Sequence, residues 1–154
     1  MKQLSVVDNA TTWFCPDAMY YAKNLLAKNE KLYLISPKDF LQLALHFKNP
    51  KGSKEKLSGV KNLVEKNIKF NQIPYLRIRN HIEVDSELNK KISKTIGRVY
   101  SHEGRHRNFT LKELGYKKVP VILKFQDMER IPEYLVNQNG NKKLKFSDVL
   151  TPYK

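Results

Sequence analysis

Ile96-Gly97-Arg98-Val99-Tyr100, then Ser101-His102-Glu103-Gly104-Arg105-His106-Arg107-Asn108-Phe109-Thr110-Leu111-Lys112-Glu113-Leu114-Gly115, then Tyr116-Lys117-Lys118-Val119-Pro120-Val121-Ile122-Leu123-Lys124-Phe125 is the stretch whose reading decides the fold. Its first part alternates as a strand does, and Val119 to Phe125 is an apolar run opened by a proline-containing turn. Between them the residues predict a glycine turn and a short helix. Phe109, Leu111 and Leu114 are expected on its inner side, Leu111 to Leu114 are good helix formers, and Gly115 is placed as the C′ stop.

A strand, a tight polar turn and a helix in that order make an anion site. The first amides of a helix have no acceptor within it, and the helix dipole adds partial positive charge there. Gly104 lets the backbone approach a ligand closely, and Arg105, His106 and Arg107 follow it. Arginine offers a planar fork of donors suited to phosphate, and histidine adds a donor or a proton. His102 and Glu103 precede the glycine, where an imidazole and a carboxylate are expected to suit a divalent metal such as Mg2+. The same residues also suit an ordinary solvated helix start, with Glu103 paired to Arg105 or Arg107.

The order Glu103-Gly104-Arg105-His106-Arg107, Leu114-Gly115, Val119-Pro120-Val121 resembles the G-x-H-R, L-G, V-P-V pattern of the ParB/sulfiredoxin superfamily, including its ParB-like nuclease domains. Leu32 to Ile35 with Ser36-Pro37, then a helix, then Ile73 to Ile78, then the Ser101 to Arg107 turn follow the family's order over residues 31–125. The Ser36 to Leu41 spelling, the H-E-G-R-H-R turn and the later Ile131-Pro132 with Gln138 look most like domains carried by phages and other mobile elements. The resemblance implies a nucleoside triphosphate or other phosphate held by Ser101, Gly104, Arg105, His106 and Arg107. It also implies a metal-dependent nuclease or NTPase in which Glu103 and His106 are the candidate catalytic residues and Glu103 the candidate metal ligand. Arg105 stands where sulfiredoxins carry cysteine, so sulfinic acid reduction is not expected. Chromosomal ParB proteins carry a helix-turn-helix domain after the nucleotide domain, and with about 30 residues after Phe125 here, centromere binding and sliding-clamp behaviour are not expected.

With 154 residues, the chain is expected to be a single α/β or α+β domain with a mixed sheet of four to six strands and three or four helices. An N-terminal extension over 1–30, a core over 31–125 and a C-terminal hairpin and tail over 126–154 are its expected parts. Twenty-nine Lys plus Arg against 15 Asp plus Glu give a formal net charge of +14, which favours DNA or RNA as partner. A lysine-rich genome would produce the same composition. A non-enzymatic phage accessory protein that binds DNA or a host protein is therefore the competing reading. The single cysteine, Cys15, forms no internal disulfide, and no stretch has the length or apolarity of a membrane span. A cytoplasmic setting is expected, that of the host if the protein is phage-encoded.

Outside the central stretch, Leu4 to Val7 reads as a strand and Pro16 to Lys28 as an amphipathic helix beside Trp13 and Phe14. Leu32 to Ile35 is a strand followed by a helix capped by Ser36, with Pro37 at its first position, running to about Phe47. Lys48 to Lys56 is a basic loop in which Lys51 and Lys54 are candidate nucleic-acid contacts, and Leu57 to Ile68 has helical spacing. Ile73 to Arg79 alternates apolar and basic residues, so Arg77 and Arg79 are expected to share one wet face and meet nucleic acid. Ile82 and Val84 extend that strand or form a hairpin, Ser86 to Lys90 is a candidate helical turn, and Glu83 and Asp85 are possible companions for Glu103. Tyr134 to Val136 and Leu144 to Phe146 flank Asn139-Gly140, a hairpin signal.

Overall fold

Apolar runs this short bury one face only if their backbones pair with neighbours, so the chain resolves into strands joined by small helices. The computed structural model describes residues 26–44, 58–59, 62, 73–85, 92–113, 115–126 and 131–153. In chain order these give β1 (Glu30–Ile35), α1 (Pro37–Leu43), β2 (Tyr75–Asp85), β3 (Ile92–Glu103), α2 (Arg105–Glu113), β4 (Val119–Phe125), β5 (Tyr134–Val136), β6 (Lys143–Lys145), α3 (Phe146–Val149) and β7 (Leu150–Pro152). The strands form one mixed sheet in the order β6-β5-β3-β2-β4-β1-β7. The expected α/β domain with a mixed sheet is observed, with seven strands where four to six were expected.

Local chemistry sets the element ends. Ser36 Oγ accepts the Asp39 amide at 3.1 Å and Pro37 opens α1. At the other end of α2 the Tyr116 amide donates to Leu111 O and the Gly115 amide to Lys112 O, each at 3.0 Å, with Gly115 at φ +86°. This is a Schellman stop, and Tyr116 and Leu111 are both buried beside it. The inner face of α2 is carried by Asn108, Thr110 and Leu111, whereas Phe109 is only half-buried, which corrects its expected place in the core. Residues 108 and 111 are one helical turn apart, while 109 and 111 lie on different sides.

β2 and β3 form a long antiparallel hairpin, β2 runs parallel to β4, and β3 runs parallel to β5. Proline cannot donate, so β2 starts at Tyr75 and not at Ile73; the Pro74 carbonyl still accepts the Ile122 amide at 2.9 Å. β3 runs well past the expected Ile96 to Tyr100 because β2 gives it a partner from Ile92 to Glu103. Ile82 and Val84 do extend β2; β4 pairs with β2 only over Tyr75 to Ile78, and Ile82 and Val84 are exposed beyond it.

β6 and β7 lie at opposite edges of the sheet, yet only the four residues of α3 separate them in the chain. A helix that short spans about 6 Å, so the sheet must curl until its edges approach. Phe146 of α3 meets Tyr33 of β1 edge to face at 5.3 Å, and both belong to the main core with Phe40, Leu76, Ile78 and Leu123. α1 packs against α2 and contributes Phe40 and Leu43 to that core. The expected hairpin is present, with Gly140 N–H donating to Asn137 O at 3.0 Å, and β7 closes the far edge against β1. The expected elements at Leu4 to Val7, Leu57 to Ile68 and Ser86 to Lys90, the expected helix Pro16 to Lys28 as far as residue 25, and the end of α1 beyond Ala44 lie outside the described residues apart from isolated positions. Leu26 to Lys28, expected to end that helix, are not helical, because the Glu30 amide donates to Ala27 O at 3.0 Å and turns the chain into β1. Among the described residues no helix is long and apolar enough to cross a membrane.

Candidate functional site

β3 delivers the chain to Glu103, and the next residue must reverse it. Gly104 does so at φ +109°, a region that side chains rarely enter. A Cβ there would lie 2.7 Å from Cγ of Pro74 and closer still to its Cβ, so the position is closed to any other residue twice over. α2 begins at once with Arg105, and its first intrahelical bond runs from the Asn108 amide to Gly104 O at 3.0 Å. The Asn108 side chain donates to the same carbonyl at 3.0 Å, which fixes the turn from inside the protein, where Asn108 is fully buried.

Arg105, His106 and Arg107 thus form the first turn of α2, a turn with no acidic residue. All three are half-buried. Their amides precede the first intrahelical bond and sit at the positive end of the helix dipole. Burial lowers the pKa of Arg105, and it pushes that of Arg107 down to about 10 against the opposing pull of the Glu103 carboxylate. Arg107 is therefore still a cation at neutral pH, held in a partly dry setting with one carboxylate acting on it.

Strand register carries the site onto the sheet. Tyr75 stands opposite Glu103, Arg77 opposite Ser101 and Arg79 opposite Arg98. Arg77 also pairs in register with Lys124 of β4. Arg77 and Arg79 are both exposed and, two residues apart on β2, share the open face, as expected from the alternation. The guanidinium of Arg77 lies 5.3 Å from the centre of the Tyr75 ring, Lys124 Nζ lies 4.2 Å from the same ring, and Arg79 lies 5.3 Å from that of Tyr100. A cleft of about 410 Å3 opens beside Arg77, Tyr100, Lys124 and Gln126. Tyr100 and Lys124 were missed in the sequence because only the register reveals that they adjoin Arg77, whereas the place of Tyr75 beside Arg77 follows from the alternation along β2. Lys51 and Lys54 lie outside the described residues.

The residues do not make a metal cage. His102 stands opposite the buried Leu76 and Glu103 opposite Tyr75, so the imidazole and the carboxylate leave β3 on opposite faces. Glu83 pairs in register with Lys94, eight residues along β2 from Tyr75 and so about 26 Å from the turn, and its carboxylate lies 3.3 Å from Lys143 Nζ. Asp85 lies still further out on β2. Neither acid can join Glu103. Among the described residues no three His, Cys, Asp or Glu side chains come together.

No family model matches this chain, and no curated protein or solved structure matches it either.

Proposed function

We propose that this protein binds the phosphates of a nucleotide or nucleic acid at the Glu103 to Arg107 turn. The observation that carries the reading is the backbone of Gly104, locked at φ +109° against Pro74, which starts a helix whose first turn is Arg105-His106-Arg107. A phosphate there meets the dipole of α2, two guanidinium forks and the His106 ring, with Ser101 three residues before Gly104 on β3. The order of motifs that resembles the ParB/sulfiredoxin superfamily, and its phage-borne branch in particular, supports a nucleoside triphosphate as the ligand. The formal charge of +14 supports a nucleic acid beside it.

Turnover of a phosphodiester or phosphoanhydride belongs to the same proposal. Arg105 and Arg107 would offset charge on the phosphoryl oxygens, and His106 or Glu103 would move the proton. Any Mg2+ would arrive on the triphosphate, since among the described residues Glu103 is the one carboxylate at this place. A second reading has its own support: the pull of Glu103 on Arg107 is what a structural latch would show, and it makes the chain a non-enzymatic accessory protein that uses its basic surface on DNA or a host protein.

The test is a thermal-shift titration with the common nucleoside triphosphates, with and without magnesium. At least one is expected to raise the melting temperature saturably. R107A is expected to weaken that ligand by roughly ten- to a hundredfold, the scale of a charge-assisted hydrogen bond. A melting temperature unmoved by every triphosphate at millimolar concentration contradicts the nucleotide reading.

A further inference from the structure

The open face of the sheet offers chemistry that the turn does not use. Between Arg77 and Ile78 the pairing of β2 with β3 slips by one residue, and Tyr100 is the extra residue of that bulge. Bulges re-aim side chains, and here the result is a tyrosine 37% exposed at the lip of the 410 Å3 cleft. That volume is within the range of a site for a small organic ligand.

The cleft walls are held in place. Phe125 N–H donates to Asn29 O at 2.8 Å and Asn29 Nδ2 donates to Phe125 O at 3.0 Å, which ties β4 to the residue before β1. Gln126 N–H donates to Ile78 O at 2.9 Å, and its side-chain oxygen accepts from Arg79 Nε. The carboxylate lining the cleft, Glu30, is already engaged: Oε1 accepts the Ala27 amide at 3.1 Å and Oε2 lies 3.5 Å from Lys124 Nζ. Among the described residues neither Arg77 nor Arg79 has a carboxylate partner; their neighbours are the rings of Tyr75 and Tyr100 and the Gln126 amide. The face therefore alternates cations with flat aromatic surfaces around one small cavity.

We propose that this face binds single-stranded nucleic acid, with one base stacked against Tyr100 in the cleft and the flanking phosphates on Arg77 and Lys124. Charge complementarity names a polyanion, and the tyrosine faces name one whose bases are unpaired. A duplex keeps its bases stacked within itself and would leave Tyr100 and the cleft unfilled. The inference goes beyond the turn and stands whether or not the turn takes a triphosphate.

The experiment is fluorescence anisotropy of the full chain with a labelled 12-nucleotide oligo(dT) and with a duplex of the same length, at two salt concentrations. The single strand is expected to bind more tightly than the duplex. Y100A is expected to weaken it by roughly five- to a hundredfold, the worth of one base–aromatic stack, without changing its salt dependence. Y100F keeps the ring and is expected to bind as wild type. R77A is expected to weaken the strand and to lower the salt slope by about one counterion. Because Arg77 is exposed, R77A keeps the experiment decisive even if Y100A does not fold. Equal affinity of Y100A and wild type, or of duplex and single strand, overturns the proposal. R107A separates the two sites: a loss with R107A and none with Y100A or R77A sinks the open face and leaves the turn standing.

Discussion

Arg107 is a cation placed where burial works against its charge. Burial holds its pKa down at about 10, which disfavours the charged form relative to an exposed arginine even with the Glu103 carboxylate pulling the other way. An anion at the turn would offset that penalty, so the residue should matter more for binding than for stability. R107M, which keeps the length and removes the charge, is therefore expected to match or exceed the wild-type melting temperature while abolishing the shift given by a triphosphate. The sign with pH follows from the depressed value. Above about pH 10 the unfolded chain still holds a proton that the folded chain has lost, so stability contributed by Arg107 rises as pH passes 10. R107M removes that rise. Thermal melts of both proteins from pH 7 to 11 check it; a large loss of stability in R107M at neutral pH would make Arg107 a structural latch. The arginines and the glycine were legible in the sequence as residue types at a helix start. The depth of Arg107 was not, because burial depends on strands and helices distant in the chain.

At the scale of the element, the turn works because β3 and α2 meet at a residue with no side chain. G104A would force a Cβ against Pro74 and strain a positive φ, so it is expected to cost about 1–3 kcal/mol or more and to lower the melting temperature by several degrees. A melting temperature equal to wild type would mean that the turn is not built as described. The ends of elements were readable in advance wherever a local group decides them: Ser36 capping α1, Gly115 stopping α2, and Asn139-Gly140 turning β5 into β6. Strand length was not readable. β3 reaches from Ile92 to Glu103 because β2 lies beside it, and β7 exists because β1 has an open edge; both facts are non-local. Phe109 was misplaced because apolar character was weighed above helical spacing, whereas Asn108 takes the buried position and uses it to hold Gly104 O.

For the whole molecule, the curl of the sheet brings its β6 and β7 edges towards each other, and the order β3-β2-β4 puts the arginines of β2 between a turn on one side and Lys124 on the other. The mixed α/β class followed from alternating strand and helix patterns, but the register that joins Arg77 to Ser101 and Lys124 had no signature in the sequence. A net charge of +14 favours a polyanionic partner in the proposed reading but carries no information on where it would sit. Location is the central claim, and a two-dimensional amide NMR titration with tripolyphosphate, repeated at physiological salt, tests it most directly. The account predicts that the amides of Gly104, Arg105, His106 and Arg107 show the largest shifts and saturate together, and that R107A moves the saturation to roughly ten- to a hundredfold higher concentration. Shifts spread over lysines without saturation, with the 104–107 amides unmoved, would contradict it.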